Sequence, residues 1–481
     1  MAKKQNFIRH FFVIGSGTAI NMLIGLLTTP VITRMVDPVE YGQLSMFTLY
    51  ATLAVMILGL GMDQALVRFY YEQDTLEYRR ALLLRCVRLP VIITLCLSAA
   101  VVASSALGLV SYEFSTPVMV LLCVCTLIQL LYRFSQLLVR LAYRSREYSM
   151  LNVLHKLAYV VLAVGLLLVM KEHDLLALVL ATVLSYGLCM ALSIRMQPRE
   201  WDFRAGCGGR SAIPEQELLR YAAPFILSMS VTQLFHAIDK LSLNHFCTYA
   251  EVGVYSSAMT LVHIFAIVQT SFNAVWAPMQ VEHYTKNPQD HSFYQKGNQV
   301  ITVVMFLLGL SLMLFKDVFA VLLGGKYREA AAMLPFLAFN PIMYTVSETT
   351  CGGLVFMKKS RMQVVVALGA CVTNIIGNAL LVPVLGGRGA AISTGVSYLV
   401  FFTLRTTLAN RYFYTDFRLK QFYAMTGITC VYAYANTFFS FGVWSVIGYM
   451  LSVAVLLLLY RDTVQWGAHE LTAMLRRRKR S

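Results

Sequence analysis

At 481 residues, with 58% hydrophobic and only 13% charged side chains, the chain is too apolar for a soluble enzyme, in which charged residues approach a quarter. Its apolar runs are continuous rather than alternating, which argues against a β-barrel. The net charge of +16 gathers in loops and at helix ends, the pattern of a membrane-orientation signal rather than of nucleic-acid binding.

A bilayer crossing needs roughly 20 predominantly apolar residues. Windows of that kind predict helices at 9–33, 41–66, 86–110, 117–142, 151–170, 175–195, 218–245, 251–278, 298–323, 331–357, 362–382, 389–409, 421–439 and 442–460. The fold class is therefore all-α, one polytopic membrane protein of about 14 transmembrane helices. The first window follows Lys3, Lys4 and Arg9 but runs on without a small-x-small cleavage site, so it reads as a retained helix. With the N-terminus taken as cytoplasmic, most Lys and Arg fall on the inner side and both termini are expected inside. The basic tail from Arg476 to Arg480 is expected against anionic headgroups. The ten cysteines are scattered, and no metal or disulfide role is expected for them.

The longest polar interval divides the chain. It gives an N-lobe of six helices over 1–195, a cytoplasmic linker over 196–217, a C-lobe of six helices over 218–409, and helices 13 and 14 with the tail over 410–481. Glu40-Tyr41-Gly42-Gln43-Leu44-Ser45 follows the first helix and Glu251-Val252-Gly253-Val254-Tyr255-Ser256 the seventh, both fitting E-x-G-x-x-S. An even number of helices separates the copies, so they share one orientation, as in a parallel repeat with substrate between the lobes.

The stretch Thr33-Arg34-Met35-Val36-Asp37-Pro38-Val39-Glu40-Tyr41-Gly42 and the later Gly59-Leu60-Gly61-Met62-Asp63-Gln64-Ala65-Leu66-Val67-Arg68-Phe69 resemble the start of the polysaccharide transporter family. So do Ala237-Ile238-Asp239-Lys240-Leu241 and the second E-x-G-x-x-S motif. These are the Wzx-type oligosaccharide flippases of the multidrug/oligosaccharidyl-lipid/polysaccharide exporter superfamily. The resemblance implies a MATE-like fold and an undecaprenyl-pyrophosphate-linked oligosaccharide moved from the cytoplasmic to the outer leaflet by alternating access. It further implies a bacterial inner membrane, a surface polysaccharide such as O-antigen, capsule or exopolysaccharide, and a polysaccharide polymerase and chain-length regulator as partners. No cofactor is expected beyond H+ or Na+ as a coupling ion.

An anionic, polar cargo needs fixed positive charge and hydrogen bonds in place of water. Arg133 is the leading candidate, because a charge at a helix centre costs about 2.5–3.5 kcal/mol and marks a cavity or a partner. Arg140, two helical turns on, would extend a basic track unless it only snorkels to the interface. Arg68 is a contact at the cleft entrance or a local ion-pair partner of Asp63. His236 and Asp239 share one helical face and, with Lys240, suit a proton or sugar hydroxyls. His263 in helix 8 and Asn273, Asn374 and Asn378 are further polar groups within spans, of the types that also pack helices together. Glu348 lies about 15 Å from the inner boundary at 1.5 Å per residue, and it joins Asp63 as a candidate for ion coupling.

Three other readings compete. A lipid II-type peptidoglycan precursor flippase predicts the same cationic cleft. A MATE-type drug or cation exporter needs an acidic, aromatic cleft instead. A membrane enzyme such as a polymerase, ligase or glycosyltransferase needs a large outer loop or a DxD triplet, and neither is found, so the chain reads as a transporter rather than an enzyme.

Overall fold

The computed structural model describes residue 20 and residues 23–171, 173–203 and 213–466, and among them every regular element is a helix. The chain divides into two compact units, Met1–Ala237 and Ile238–Ser481, with the boundary inside one long helix. Among the described residues, eight helices are long and apolar enough to cross a membrane, or nine if one bent pair is a single span. The expected first window, 9–33, lies largely outside the described residues, as does the basic tail.

Unit 1 runs α1 (Leu23–Met35), α2 (Pro38–Leu58), α3 (Met62–Phe69), α4 (Leu76–Ala106), α5 (Thr116–Leu141), α6 (Ser145–Val169), α7 (Asp174–Met196) and the first part of α8 (Glu215–Phe246). Proline at the first helical positions of α2 and α5 starts each without losing a helix hydrogen bond. The window expected at 41–66 is not one helix. It breaks at Gly59-Leu60-Gly61, where Leu60 (φ 50°) and Gly61 (φ 64°) enter the left-handed region. Gly61 is there for a second reason, because a Cβ would lie 2.8 Å from the carbonyl oxygen of Ala222 on α8.

Two sequence windows start late. Helix α4 begins at Leu76 rather than 86, its end capped by the Thr75 side chain, which accepts from the Tyr78 amide. Unit 2 repeats this at α11, where Asp290 accepts from the Ser292 amide. In both, the helix continues out of the apolar window as charged or polar turns, and hydropathy alone cannot see them.

Unit 2 carries the rest of α8, then α9 (Tyr249–Val262), α10 (Phe265–Lys286), α11 (His291–Leu314), α12 (Lys316–Leu323), α13 (Ala330–Leu337), α14 (Phe339–Thr350), α15 (Gly352–Phe356), α16 (Ser360–Asn410), α17 (Leu419–Phe438) and α18 (Val443–Leu459). The window at 251–278 bends by 46° between α9 and α10, and that at 331–357 is three short helices in succession. The two windows at 362–382 and 389–409 form one helical run kinked at Gly386 (φ 56°). The amide of Gly387, which begins the run beyond the kink, donates to the Glu251 carboxylate at 2.8 Å. A carboxylate at the start of a helical segment supplies an acceptor to an orphan N–H and matches the local dipole.

Candidate functional site

The polar centre of unit 1 forms where α2 breaks. Restarting at Met62 places Asp63 in the first turn of α3, facing Arg133 on α5. Nη2 of Arg133 donates to Oδ2 of Asp63 at 2.6 Å and Nε to the same oxygen at 3.2 Å. The Gln64 amide donates to that oxygen as well, at 2.9 Å. The carboxylate is nearly closed off, with 11% of its side chain exposed against 37% for Arg133. Both line a small cavity with Met56, Gly59, Gly61 and Leu130. The result is an arginine held at Nε and Nη2 whose side chain is only partly covered.

A second polar group lies next to it on α5. Gln136 donates to the Tyr132 hydroxyl and to Oδ1 of Asn152 at 2.8 Å, and His155 packs on Tyr186 with ring centres 4.1 Å apart. Sequence reading passed over Gln136, Asn152, His155 and Tyr186, although Asn152 and His155 sit three apart within an expected span, a spacing that shares a face.

Arg68 is not the partner of Asp63. It pairs with Glu72 at 3.1 Å, one turn further along, with both side chains well exposed. Arg140, in the last turn of α5, is exposed and makes no ion pair among the described residues. The stretch between α7 and α8 is more than a tether. Its carbonyls at Met196, Arg199 and Ile213 accept from Arg144, Arg80 and Arg85 respectively. Burial in the same region pushes the Glu200 carboxyl above its usual range.

Unit 2 holds two further centres. Asp239, 6% exposed on α8, accepts from Tyr255 and Thr394 at Oδ2, each at 2.6 Å. Asn374 (3.1 Å) and Asn378 (2.8 Å) donate to Oδ1. All four donors are neutral, and they come from α9 and from both halves of α16. His236 is exposed and is not among them, so the structure does not bring the expected His–Asp pair together. Lys240 is half-buried, and His263 lies exposed at the bend between α9 and α10. Asn374 and Asn378 were legible only as polar residues in a span; their spacing of one helical turn, which aims both at one oxygen, was the overlooked signal.

The other centre is an ion pair. Arg405, on the second half of α16, is buried and donates through Nη1 to Oε1 of Glu348 and to the Ser347 hydroxyl, both at 2.7 Å. Its guanidinium also lies over the rings of Tyr344 and Phe401. Glu348 thus carries a resident cation rather than standing as a lone acid.

The model of the family described as polysaccharide biosynthesis protein matches residues 7–283. The chain belongs to that family. The match covers unit 1 from residue 7 onward, with Asp63 and Arg133, and continues through the Asp239 and Glu251 segments of unit 2. A probable low-salt glycan biosynthesis flippase, Agl15, of Haloferax volcanii is 21% identical over 58% of this chain and 58% of its own length. The uncharacterized membrane protein MJ1068 of Methanocaldococcus jannaschii is 23% identical over 43% of this chain and 41% of its own. This chain thus spans less than two thirds of either relative. Among solved structures, the lipid II flippase MurJ in its inward closed conformation superposes with a TM-score of 0.70 at 11% identity, over 96% of this chain and 100% of MurJ. An inward-facing multidrug resistance MATE family transporter of the MOP superfamily gives 0.56 at 16% identity, over 82% and 94%. The family member therefore has the MurJ/MATE fold.

Proposed function

We propose that this chain is a flippase that carries a lipid-linked oligosaccharide diphosphate from the cytoplasmic to the outer leaflet of a cell membrane by alternating access, for surface polysaccharide synthesis. The observation that supports this most directly is Arg133, whose side chain is 37% exposed beside a small cavity, on a helix long and apolar enough to span a membrane. Such a group suits a phosphate, which a planar fork of donors binds through two oxygens. In this reading the polyprenyl tail stays in the bilayer while the headgroup crosses, and both termini lie in the cytoplasm. The product then passes to a polymerase and chain-length regulator. The fit to MurJ favours one second reading, in which the cargo is a lipid II-type peptidoglycan precursor.

Coupling to an ion gradient, on this proposal, falls to Asp239 rather than to Asp63 or Glu348. The latter two already hold arginines, whereas Asp239 is ringed by Tyr255, Thr394, Asn374 and Asn378. Hydroxyl and amide side chains can turn an oxygen as readily as a donor toward a bound cation.

Vesicles carrying the purified chain and a fluorescent lipid-linked oligosaccharide test the proposal. Wild type is expected to move the glycan, Arg133→Ala to fold and insert without moving it, and Asp239→Asn to lose dependence on the imposed H+ or Na+ gradient. Movement of lipid II alone would establish the second reading. Extrusion of a small cation, with no lipid-linked sugar moved, would replace both with a drug exporter.

A further inference from the structure

We propose that Asp63 is a resident counter-anion: it occupies Arg133 when no cargo is bound and yields the guanidinium to a phosphate oxygen of the cargo. The inference rests on the phosphate-binding role proposed above for Arg133 and adds how that site is kept ready.

Three features of the pair point to exchange rather than to a permanent brace. The first is its geometry. Nε and Nη2 of Arg133 both reach one oxygen, Oδ2, which also receives the Gln64 amide, while Oδ1 receives no hydrogen bond among the described residues. A fork-on-fork pair would place one nitrogen on each oxygen, so this carboxylate leaves unused the arrangement that a phosphate, with more oxygens and more charge, can complete. The second is access. The arginine side chain is 37% exposed against 11% for the carboxylate, and both line a small cavity of roughly one water's volume.

The third is what remains for Asp63 once Arg133 has left. The carboxylate sits in the first turn of α3, where the free N–H end of the helix favours negative charge, and it keeps the neighbouring Gln64 amide. Displacement therefore does not strand a bare charge, the outcome that makes most nearly buried pairs permanent. The left-handed Leu60 and Gly61 fix where α3 begins and so hold Asp63 within reach for the return. A resting guanidinium that already has an anion neither seeks free phosphate nor stays uncompensated in an apolar helix bundle. As the diphosphate leaves, Asp63 reoccupies Arg133 and thereby assists release.

The test is binding of geranylgeranyl diphosphate, with geranylgeraniol as the uncharged control, to the full chain in lipid nanodiscs. Wild type is expected to prefer the diphosphate and Arg133→Ala to lose the preference. Asp63→Asn removes the competing charge and is expected to bind roughly tenfold more tightly, in line with the modest worth of a partly exposed ion pair. It should also release the ligand more slowly, while Asp63→Glu restores wild-type affinity. Asp63→Ser keeps a polar helix-starting side chain and carries the same expectation should Asp63→Asn fail to insert. If wild type shows no preference for the diphosphate over the alcohol, the phosphate-binding reading of Arg133 fails. If wild type prefers it and Arg133→Ala does not, but both neutral variants bind equally or more weakly than wild type, the counter-anion role alone is overturned and Asp63 is a brace for Arg133.

Discussion

Each unit of the chain holds an arginine against a carboxylate within its helices, and the two pairs are built to different ends. In unit 2 both side chains of Arg405 and Glu348 are enclosed, at 9% and 16% exposure, with Ser347 and two aromatic rings closing the remaining faces. In unit 1 the carboxylate is enclosed and the arginine is not. Burial therefore decides what an intramembrane ion pair is for. A pair shut on both sides ties α14 to α16, whereas one with an open arginine leaves a cation available to something else.

The most severe way to break this contrast is to remove half of the closed pair. Glu348→Ala leaves the Arg405 guanidinium buried without compensation, which costs about 3–5 kcal/mol, so the thermal midpoint of the detergent-purified protein should fall sharply. The double change Glu348→Leu/Arg405→Met should recover most of that loss, because apolar replacements of similar volume substitute well for a buried pair. A single change that leaves the midpoint where it was would mean that the pair is not closed, and the contrast would lapse.

A smaller loss is expected where unit 1 presents its pair. Gly61→Ala places a Cβ 2.8 Å from the Ala222 carbonyl oxygen at a φ of 64°, and a non-glycine residue held in that region costs on the order of 1–3 kcal/mol. Because the break in α2 sets where α3 begins and so where Asp63 sits, this variant should lose stability while keeping its diphosphate binding, since a displaced carboxylate competes less for Arg133. Loss of binding along with stability would show that Arg133 depends on Asp63 as a brace.

Smaller again is the effect expected at the repeated motif. Glu251 caps the second half of α16 through Gly387, whereas Oε2 of Glu40, its counterpart in unit 1, is buried without a partner among the described residues. Loss of a helix cap costs about 0.5–2 kcal/mol. Glu251→Ala should therefore lower the thermal midpoint modestly and Glu40→Ala less, and equal losses would mean that the two copies do the same job.

Much of this was legible from the sequence, and the rest failed for identifiable reasons. Apolar windows located the helices because the bilayer imposes one length and one polarity on every span. They missed the capped extensions of α4 and α11, which lie where that constraint ends, and they joined α2 to α3 because an apolar run carries no sign of a φ reversal. Arg133 and Asp63 were both singled out, but Asp63 was weighed against Arg68 because those two are near in sequence, whereas its partner lies across the unit. Asp239 was likewise set beside His236, its neighbour on one face of the same helix, although its donors come from α9 and α16.

The smallest effect belongs to Arg68. It lies five positions from Asp63 and carries the same charge as Arg133, yet its pair with Glu72 is exposed on both sides, at 53% and 40%. Exposed pairs contribute about 0–1 kcal/mol, screened further by salt. Arg68→Ala is therefore expected to leave the thermal midpoint and the preference for a diphosphate lipid unchanged, at low and at physiological salt. The same measurements on Arg133→Ala should spare stability and abolish the preference. If Arg68→Ala also erased it, net positive charge near the break in α2 would suffice for recognition. The open, partly held geometry of Arg133 would then lose its claim to be what selects the cargo.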